Sequence, residues 1–407
     1  MNSKHSMSMA LNRLLLGVAL LGASQVGAAE EVPTFATPPA RADEPAQVII
    51  PAAPQVAATA YVLMDAKTGV VIAEKNADQR LPPASLTKMM TSYVVDYEVG
   101  RGNVSFDDEV PISVRAWKTG GSKMFVQEGT RVRLEDLLRG IIIQSGNDAS
   151  VAVAEYLAGS EDAFSTIMNG HAQRLGMQNS QFKNATGLPS PEHYSTAYDL
   201  ALLAQAIIYD FPQQYPIYSE KHFTYNKIRQ PNRNVLLWRD KSIDGLKTGH
   251  TEEAGYCLVA SAVRDDMRLI TVALGTVSQE SRAQETMKLM NYGFRFFETL
   301  PLYQAGAKLV DSEIFMGVDD VVALGTGEAV TLTIPKGQKA ALDIKLEVDE
   351  SITAPITKGQ VLGSLVVSLE DNVLAKRPVV ALQDVAEAGI FKRLWHSIWL
   401  FIMGLFD

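Results

Sequence analysis

Pro83-Ala84-Ser85-Leu86-Thr87-Lys88-Met89-Met90-Thr91 sets a hydroxyl and an amine three residues apart, at the head of an apolar stretch that runs to Tyr97. Prolines open helices, because their fixed φ suits the first turn and the N–H they lack would be unpaired there anyway. The pattern predicts a buried helix with Ser85 at its beginning. Residues i and i+3 share a helix face, so Lys88 can reach Ser85. A serine hydroxyl is a poor nucleophile without an adjacent base. Lysine serves as that base only when burial or a nearby positive charge lowers its pKa. Leu86, Met89 and Met90 supply the apolar setting. The free N–H groups of a helix N-terminus face developing negative charge.

The spacing alone is weak. Ser180-Gln-Phe-Lys183 repeats it, in a stretch that reads as a polar loop. Lys-Thr-Gly is weaker still and occurs at Lys67, Lys118 and Lys247. The first copy lies in a hairpin turn and the second in a glycine-rich loop. Lys247-Thr248-Gly249 leads through His250-Thr251 into an apolar strand, whose edge can present an amine and a hydroxyl to a carboxylate. Ser145-Gly146-Asn147 breaks two apolar helices. Read alone, it is more naturally a helix cap than a site, since Ser and Asn are common caps. In combination the reading changes: Ser-x-x-Lys, Ser-x-Asn and Lys-Thr-Gly, in this order, are the signature set of penicillin-binding proteins and serine β-lactamases.

Around these motifs, Tyr61–Met64 and Val70–Ala73 read as a hairpin with its turn at 65–69. Val132 to Leu157 reads as two helices around the break at 144–147. Tyr198 to Ile208 and Met287 to Leu300 read as helices, and Tyr256–Val263 and Leu269–Leu274 as strands turned at Asp265-Asp266. Helices inserted between outer strands make the first domain, 58–300, α/β (α+β). After Pro301 the apolar residues alternate with period two, at 329–334, 342–349 and 359–369, which predicts a small all-β sandwich over 301–388.

The N-terminus carries Lys4 and Arg13, then the short apolar run Leu14–Ala23, then the small residues Val26-Gly27-Ala28. That order is a secretory signal peptide, 1–28, which places the mature chain outside the cytoplasm. Residues 29–57, rich in proline and alanine, read as an extended tether. At the other end, Phe391, Leu394, Trp395, Ile398, Phe401, Ile402 and Leu405 follow helical spacing, with Lys392, Arg393 and His396 near the start. Phe391 to Phe406 makes about 24 Å of helix, short of the roughly 30 Å hydrocarbon core. Residues 389–407 are therefore expected to lie in a membrane interface as an amphipathic anchor rather than to span it.

Composition bounds the partners. The formal net charge is −9, which argues against nucleic acid, since phosphate binding needs a basic surface. The single cysteine, Cys257, sits in an apolar strand and reads as buried rather than catalytic. His171 and His193 have no companions at metal-ligand spacing, so no metal and no cofactor is implied.

The chain resembles the D-alanyl-D-alanine carboxypeptidases, low-molecular-mass penicillin-binding proteins of the S11 peptidases. The segments that carry the likeness are 83–91, Ile143-Gln144-Ser145-Gly146-Asn147-Asp148-Ala149, Asp244-Gly245-Leu246-Lys247-Thr248-Gly249-His250-Thr251, Ala254-Gly255-Tyr256 and Gly293-Phe294-Arg295-Phe296-Phe297-Glu298. The resemblance covers about residues 57 to 407. It implies a transpeptidase/β-lactamase-like domain acting on peptidoglycan pentapeptides at the periplasmic face of the inner membrane, and β-lactams as covalent inhibitors. It implies Ser85 as acylated nucleophile, Lys88 as proton acceptor and Ser145 as proton relay. It implies Asn147, Lys247, Thr248, Gly249 and His250 as substrate-binding positions, with backbone N–H groups of Ser85 and His250 as the oxyanion hole. Arg233 and Arg282 match arginines near the site, Arg282 for the terminal carboxylate. The loop Lys118–Lys123, which borders the site, is shorter than in enterobacterial members.

Two other functions share parts of this pattern. A class A β-lactamase adds a Glu-x-x-Leu-Asn loop for deacylation, and no such string occurs here. A non-catalytic wall-binding scaffold would not need all of Ser85, Lys88, Ser145 and Lys247, and all are present.

Overall fold

The computed structural model describes residues 50–349 and 351–395. Its centre is a five-stranded antiparallel sheet in the order Val71–Lys75, Ala60–Asp65, Met267–Thr276, Gly255–Arg264, Ile243–Thr251. Successive strand residues point to opposite faces, and here both faces are covered. Val62, Met64, Val259 and Val272 join one core with Met89, Met90, Leu200 and Leu203 from the helices. Tyr61, Leu63, Leu258 and Ala260 join a second core with Leu289, Met290 and Phe294 of the helix Gln279–Phe296. Double coverage explains why these strands read as continuous apolar runs.

The helix expected after Pro83 begins with a 3₁₀ turn, Ala84–Leu86, and continues as the α-helix Thr87–Gly100. Every residue from Thr87 to Asp96 is buried, as for a helix running through the middle of a core. The break near 145 is sharp. A π turn over Gly140–Gln144 ends in Ser145 at φ 65°, and the next helix, Asn147–Ala158, starts two residues later.

Two expectations are corrected. Val132 and Arg133 belong to the short strand Arg131–Arg133, paired with Glu109–Pro111, and the helix starts at Leu134. The helix expected at Met287–Leu300 runs over Gln279–Phe296, opened by Ser278, whose side chain accepts from Ser281 N–H. It ends before Leu300, because Phe297–Tyr303 is a strand paired with Val330–Pro335. Pro301 and the β-branched Thr299 favour that extended form, and a partner strand far along the chain completes it.

That two-stranded ribbon packs on a six-stranded sheet in the order Leu342–Val348, Val361–Leu369, Asn372–Ala381, Val321–Thr326, Lys308–Phe315, Ile352–Thr353. Leu300, Leu332 and Ile334 of the ribbon share one core with Leu324, Leu365 and Val367 of the sheet. Residues 390–395 are helical, with Phe391 90 % and Trp395 65 % exposed. The rest of the expected anchor, the expected signal peptide and the tether up to residue 49 lie outside the described residues. Among the described residues, no helix is long and apolar enough to cross a membrane.

One carboxylate ties the ribbon to the central sheet. Asp65 is fully buried at the end of its strand. Its Oδ2 accepts from Thr299 Oγ1 at 2.6 Å and Thr333 Oγ1 at 2.8 Å, and its Oδ1 accepts from Lys67 N–H at 2.8 Å. Asp65→Ala removes the acceptor these three donors share at the joint, a loss of about 1–3 kcal/mol. Thermal unfolding followed by circular dichroism is expected to move down by several degrees. An unchanged midpoint would show that the joint is held by other contacts.

Candidate active site

Ser85 stands half-buried on the 3₁₀ turn, and Lys88 lies below it, fully buried, one turn into the helix. Lys88 Nζ is 3.2 Å from Ser85 Oγ, 2.7 Å from Asn147 Oδ1 and 2.5 Å from the carbonyl oxygen of Thr186. Burial lowers the Lys88 pKa to about 7, aided by the positive charge of Arg233 and opposed by Asp148 and Glu161. A neutral amine has two N–H groups and one lone pair. The two short contacts use the N–H groups, and the lone pair is left for the Ser85 hydroxyl, whose O–H can donate to it.

Ser145 closes the other side. It is 2 % exposed, and its Oγ has no hydrogen-bond partner among the described residues. The position before the helix Asn147–Ala158 is Gly146, with no side-chain capping bond. The cap reading therefore fails: a capping serine would spend its oxygen on an N–H of the first turn. An unpaired buried hydroxyl on a left-handed residue is a costly arrangement of the kind kept at functional sites. Asn147 is engaged at both ends of its amide and at its backbone, with one side-chain N–H and one oxygen lone pair left over. Its Oδ1 takes Lys88, its Nδ2 donates to Gly120 O at 2.7 Å, and its backbone N–H donates to Ser122 O at 2.7 Å.

The strand Ile243–Thr251 forms the third wall. Gly249 is required by close approach: a Cβ there would lie 3.0 Å from Pro83 O and 3.3 Å from Leu86 Cγ. Lys247 is 2 % exposed, and its Nζ donates to Thr248 O at 3.2 Å. Burial, then Lys88, Arg233 and Arg282, hold its pKa well below the ordinary lysine value. Arg282 is also buried, donating to Gly249 O at 3.3 Å and lying over the Tyr256 ring. His250 is exposed and its ring packs on Tyr256, centroids 4.0 Å apart. The cavity between these walls is about 770 Å³, lined by Ser85, Ser122, Ser145, Thr248, Gly249, His250, Arg233, Arg282 and Trp238 among others. It offers a hydroxyl, with the buried Lys88 beneath it, and two arginines, Arg233 and Arg282, that have no carboxylate partner among the described residues, which suits nucleophilic attack on a substrate that carries an anion.

The look-alike motifs fall elsewhere. Ser180 Oγ bonds Ser195 Oγ and Asp199 Oδ2, while Lys183 pairs with Glu192. Lys67 lies in the hairpin turn and Lys118 ends the helix Val114–Lys118. Cys257 is buried in its strand, and burial pushes its thiol up to about 11. His171 packs edge-on between Tyr93 and Tyr97, and His193 Nε2 bonds Thr87 Oγ1 at 2.8 Å. Sequence reasoning missed the Thr186 carbonyl, because a backbone acceptor has no side-chain signature. It also gave no role to Asp148.

The family model for D-alanyl-D-alanine carboxypeptidase matches residues 47–278, and that for the penicillin-binding protein 5 C-terminal domain matches residues 297–387. The chain is 46% identical over 356 residues to the D-alanyl-D-alanine carboxypeptidase DacC of Escherichia coli, covering 86% of this chain and 89% of that one. It superposes on penicillin-binding protein 5 from Haemophilus influenzae with a TM-score of 0.79 at 43% identity, covering 82% of this chain and 99% of that one. Penicillin-binding protein D2 from Listeria monocytogenes, solved in the ampicillin-bound form, matches with a TM-score of 0.55 at 31% identity, over 59% of this chain and 100% of that one.

The amine carries a test that needs no knowledge of the substrate. A lysine whose pKa is lowered to about 7 is mostly protonated below that pH and mostly a free base above it. The rate of Ser85 acylation by a simple acylating agent is expected to climb as pH rises through about 7 and then to level off. A rate that stays flat from mildly acid to alkaline pH would count against a neutral lysine base.

Proposed function

The chain belongs to the D-alanyl-D-alanine carboxypeptidase family, and on that premise we propose that it removes the terminal D-alanine from peptidoglycan pentapeptides through an acyl-enzyme on Ser85. The observation that carries the reading is the buried Lys88 amine, set between Ser85 Oγ and two acceptors that occupy its N–H groups. Ser85 Oγ attacks the carbonyl carbon of the penultimate D-alanine while its proton passes to Lys88 Nζ. The backbone N–H groups of Ser85 and His250 hold the oxyanion. Ser145, whose hydroxyl is otherwise unengaged, gives its proton to the departing amine and takes the Lys88 proton in its place, which returns Lys88 to the free base. The terminal carboxylate sits among Lys247, Thr248 and Arg282. Asn147 orients the peptide as well as Lys88. Water then attacks the ester and frees the shortened peptide. A β-lactam enters by the same attack, but its leaving amine stays tethered in the opened ring, so the acyl-enzyme persists.

Ser85→Ala removes one oxygen and leaves the fold intact. It is expected to abolish both covalent labelling by a fluorescent penicillin and D-alanine release from a pentapeptide. Retained labelling would remove Ser85 from the role. The same assay on the unaltered chain separates the rivals. A β-lactamase would turn penicillin over rapidly without releasing D-alanine, and a scaffold would not label at all.

The proposed setting is the periplasmic face of the inner membrane. Residues 1–28 direct export, the β-sandwich that follows the peptidase domain is a spacer, and residues 389–407 lie in the membrane interface. The exposed Ile390, Phe391, Leu394 and Trp395 support this, since apolar side chains turned to water need a lipid or protein cover. Deleting residues 389–407 is expected to shift the active enzyme from the membrane pellet to the soluble fraction. A truncated chain that still pellets would rule the anchor out.

A further inference from the structure

Met124, Phe125 and Val126 direct three consecutive backbone N–H groups onto the Asp148 carboxylate. Oδ1 accepts from Met124 at 2.8 Å and from Ala149 at 2.9 Å; Oδ2 accepts from Phe125 at 2.8 Å and from Val126 at 3.2 Å. Asp148 is fully buried, in the first turn of the helix Asn147–Ala158. The neighbouring residue Asn147 holds the earlier half of the same loop, through Gly120 O and Ser122 O. Two adjacent residues thus grip one loop at both halves.

The glycines show how tight the fit is. A Cβ on Gly146 would lie 2.9 Å from Asp148 Oδ1 and 3.1 Å from Met124 N, and a Cβ on Gly121 would lie 2.6 Å from Asn147 Nδ2. The middle residue of Ser145-Gly146-Asn147 is glycine because the clamped loop leaves no room for a side chain.

We propose that Asp148 is a positioning residue for acyl transfer: its carboxylate clamps the loop 120–126 onto the turn that carries Ser145 and Asn147, and so holds the Asn147 amide against Lys88. The inference rests on the roles proposed for Ser85 and Lys88. A second consequence follows from charge. The groups whose fields reach Lys88 are Arg233, Asp148 and Glu161, and Lys88 in turn acts on Lys247 and His193. Glu161 is compensated by Arg115 at 2.7 Å. Asp148 has no cationic partner among the described ion pairs, so its negative charge favours the protonated Lys88.

The test is the rate of labelling by a fluorescent penicillin against pH, on the full chain, with thermal unfolding as the check of fold. In Asp148→Asn the loop loosens and the charge is gone. Labelling is expected to slow at least about tenfold, as for a misplaced catalytic group, and its acid limb to move to lower pH because Lys88 releases its proton more easily. In Asp148→Glu the charge stays but the oxygens are misplaced, so labelling slows with the acid limb where the unaltered chain has it. An Asp148→Asn protein with an unchanged rate, or with a slower rate and an unmoved limb, overturns the proposal. Should Asp148→Asn not fold, Asp148→Glu decides: slow labelling supports the clamp and an unchanged rate overturns it. Labelling of the unaltered chain is the separate control; its absence would sink the acyl-transfer reading itself, and this inference with it.

Discussion

A lysine side chain fully out of water is the constraint from which the active site follows. Burial disfavours its charged form. Lowering the Lys88 pKa from 10.5 to about 7 corresponds to roughly 5 kcal/mol of preference for the neutral amine relative to water. A neutral buried amine still needs partners for its two N–H groups. Asn147 Oδ1 and Thr186 O supply them, from segments far from Lys88 in the chain. The nucleophile helix, the turn after Gln144 and the loop around Gly187 must all meet at one atom. The sheet and the two cores on its faces hold them there.

The cations opposite Ser85 show a complementary imbalance. The chain as a whole is acidic, with a formal charge of −9, yet Lys247, Arg233 and Arg282 appear in no ion pair among the described residues. Burial, then Lys88, Arg233 and Arg282, lower the pKa of Lys247. Such a cluster is poorly satisfied until an anion arrives, and a cleft of one sign draws that anion in. Arg233 also adds to the burial that lowers the Lys88 pKa, so one cation acts on both lysines. Asp148 opposes burial and Arg233 at Lys88 while it holds the loop 120–126.

Much of this was legible in the sequence, for identifiable reasons. Ser85 and Lys88 could be paired because helical spacing turns positions in a string into neighbours in space. Lys247 could be chosen from three Lys-Thr-Gly copies because it alone follows the other two motifs in order and leads on into an apolar strand. Four of the five central strands were legible as apolar runs bounded by turns; the fifth, Ile243–Thr251, carries Asp244, Lys247, Thr248 and His250 and so makes no apolar run. What stayed hidden was whatever depends on contact between distant segments. The first half of the strand Phe297–Tyr303, up to Leu300, was read as helix because its partner, Val330–Pro335, lies far along the chain. The Thr186 carbonyl has no side-chain signature. Gly146 looked like part of a cap until the Met124 backbone was seen pressed against it. Asp148 lay inside a motif segment, but nothing in its spacing shows the amides that converge on it.

The central claim concerns the proton on one amine, and nuclear magnetic resonance can read it directly. Lysines labelled with carbon-13 at Cε report their own titration, and Lys88→Arg identifies the signal by its loss. The account predicts that the Lys88 signal titrates with a midpoint near 7 in the free protein. A Lys88 that stays protonated until the ordinary lysine range, near 10.5, would contradict it.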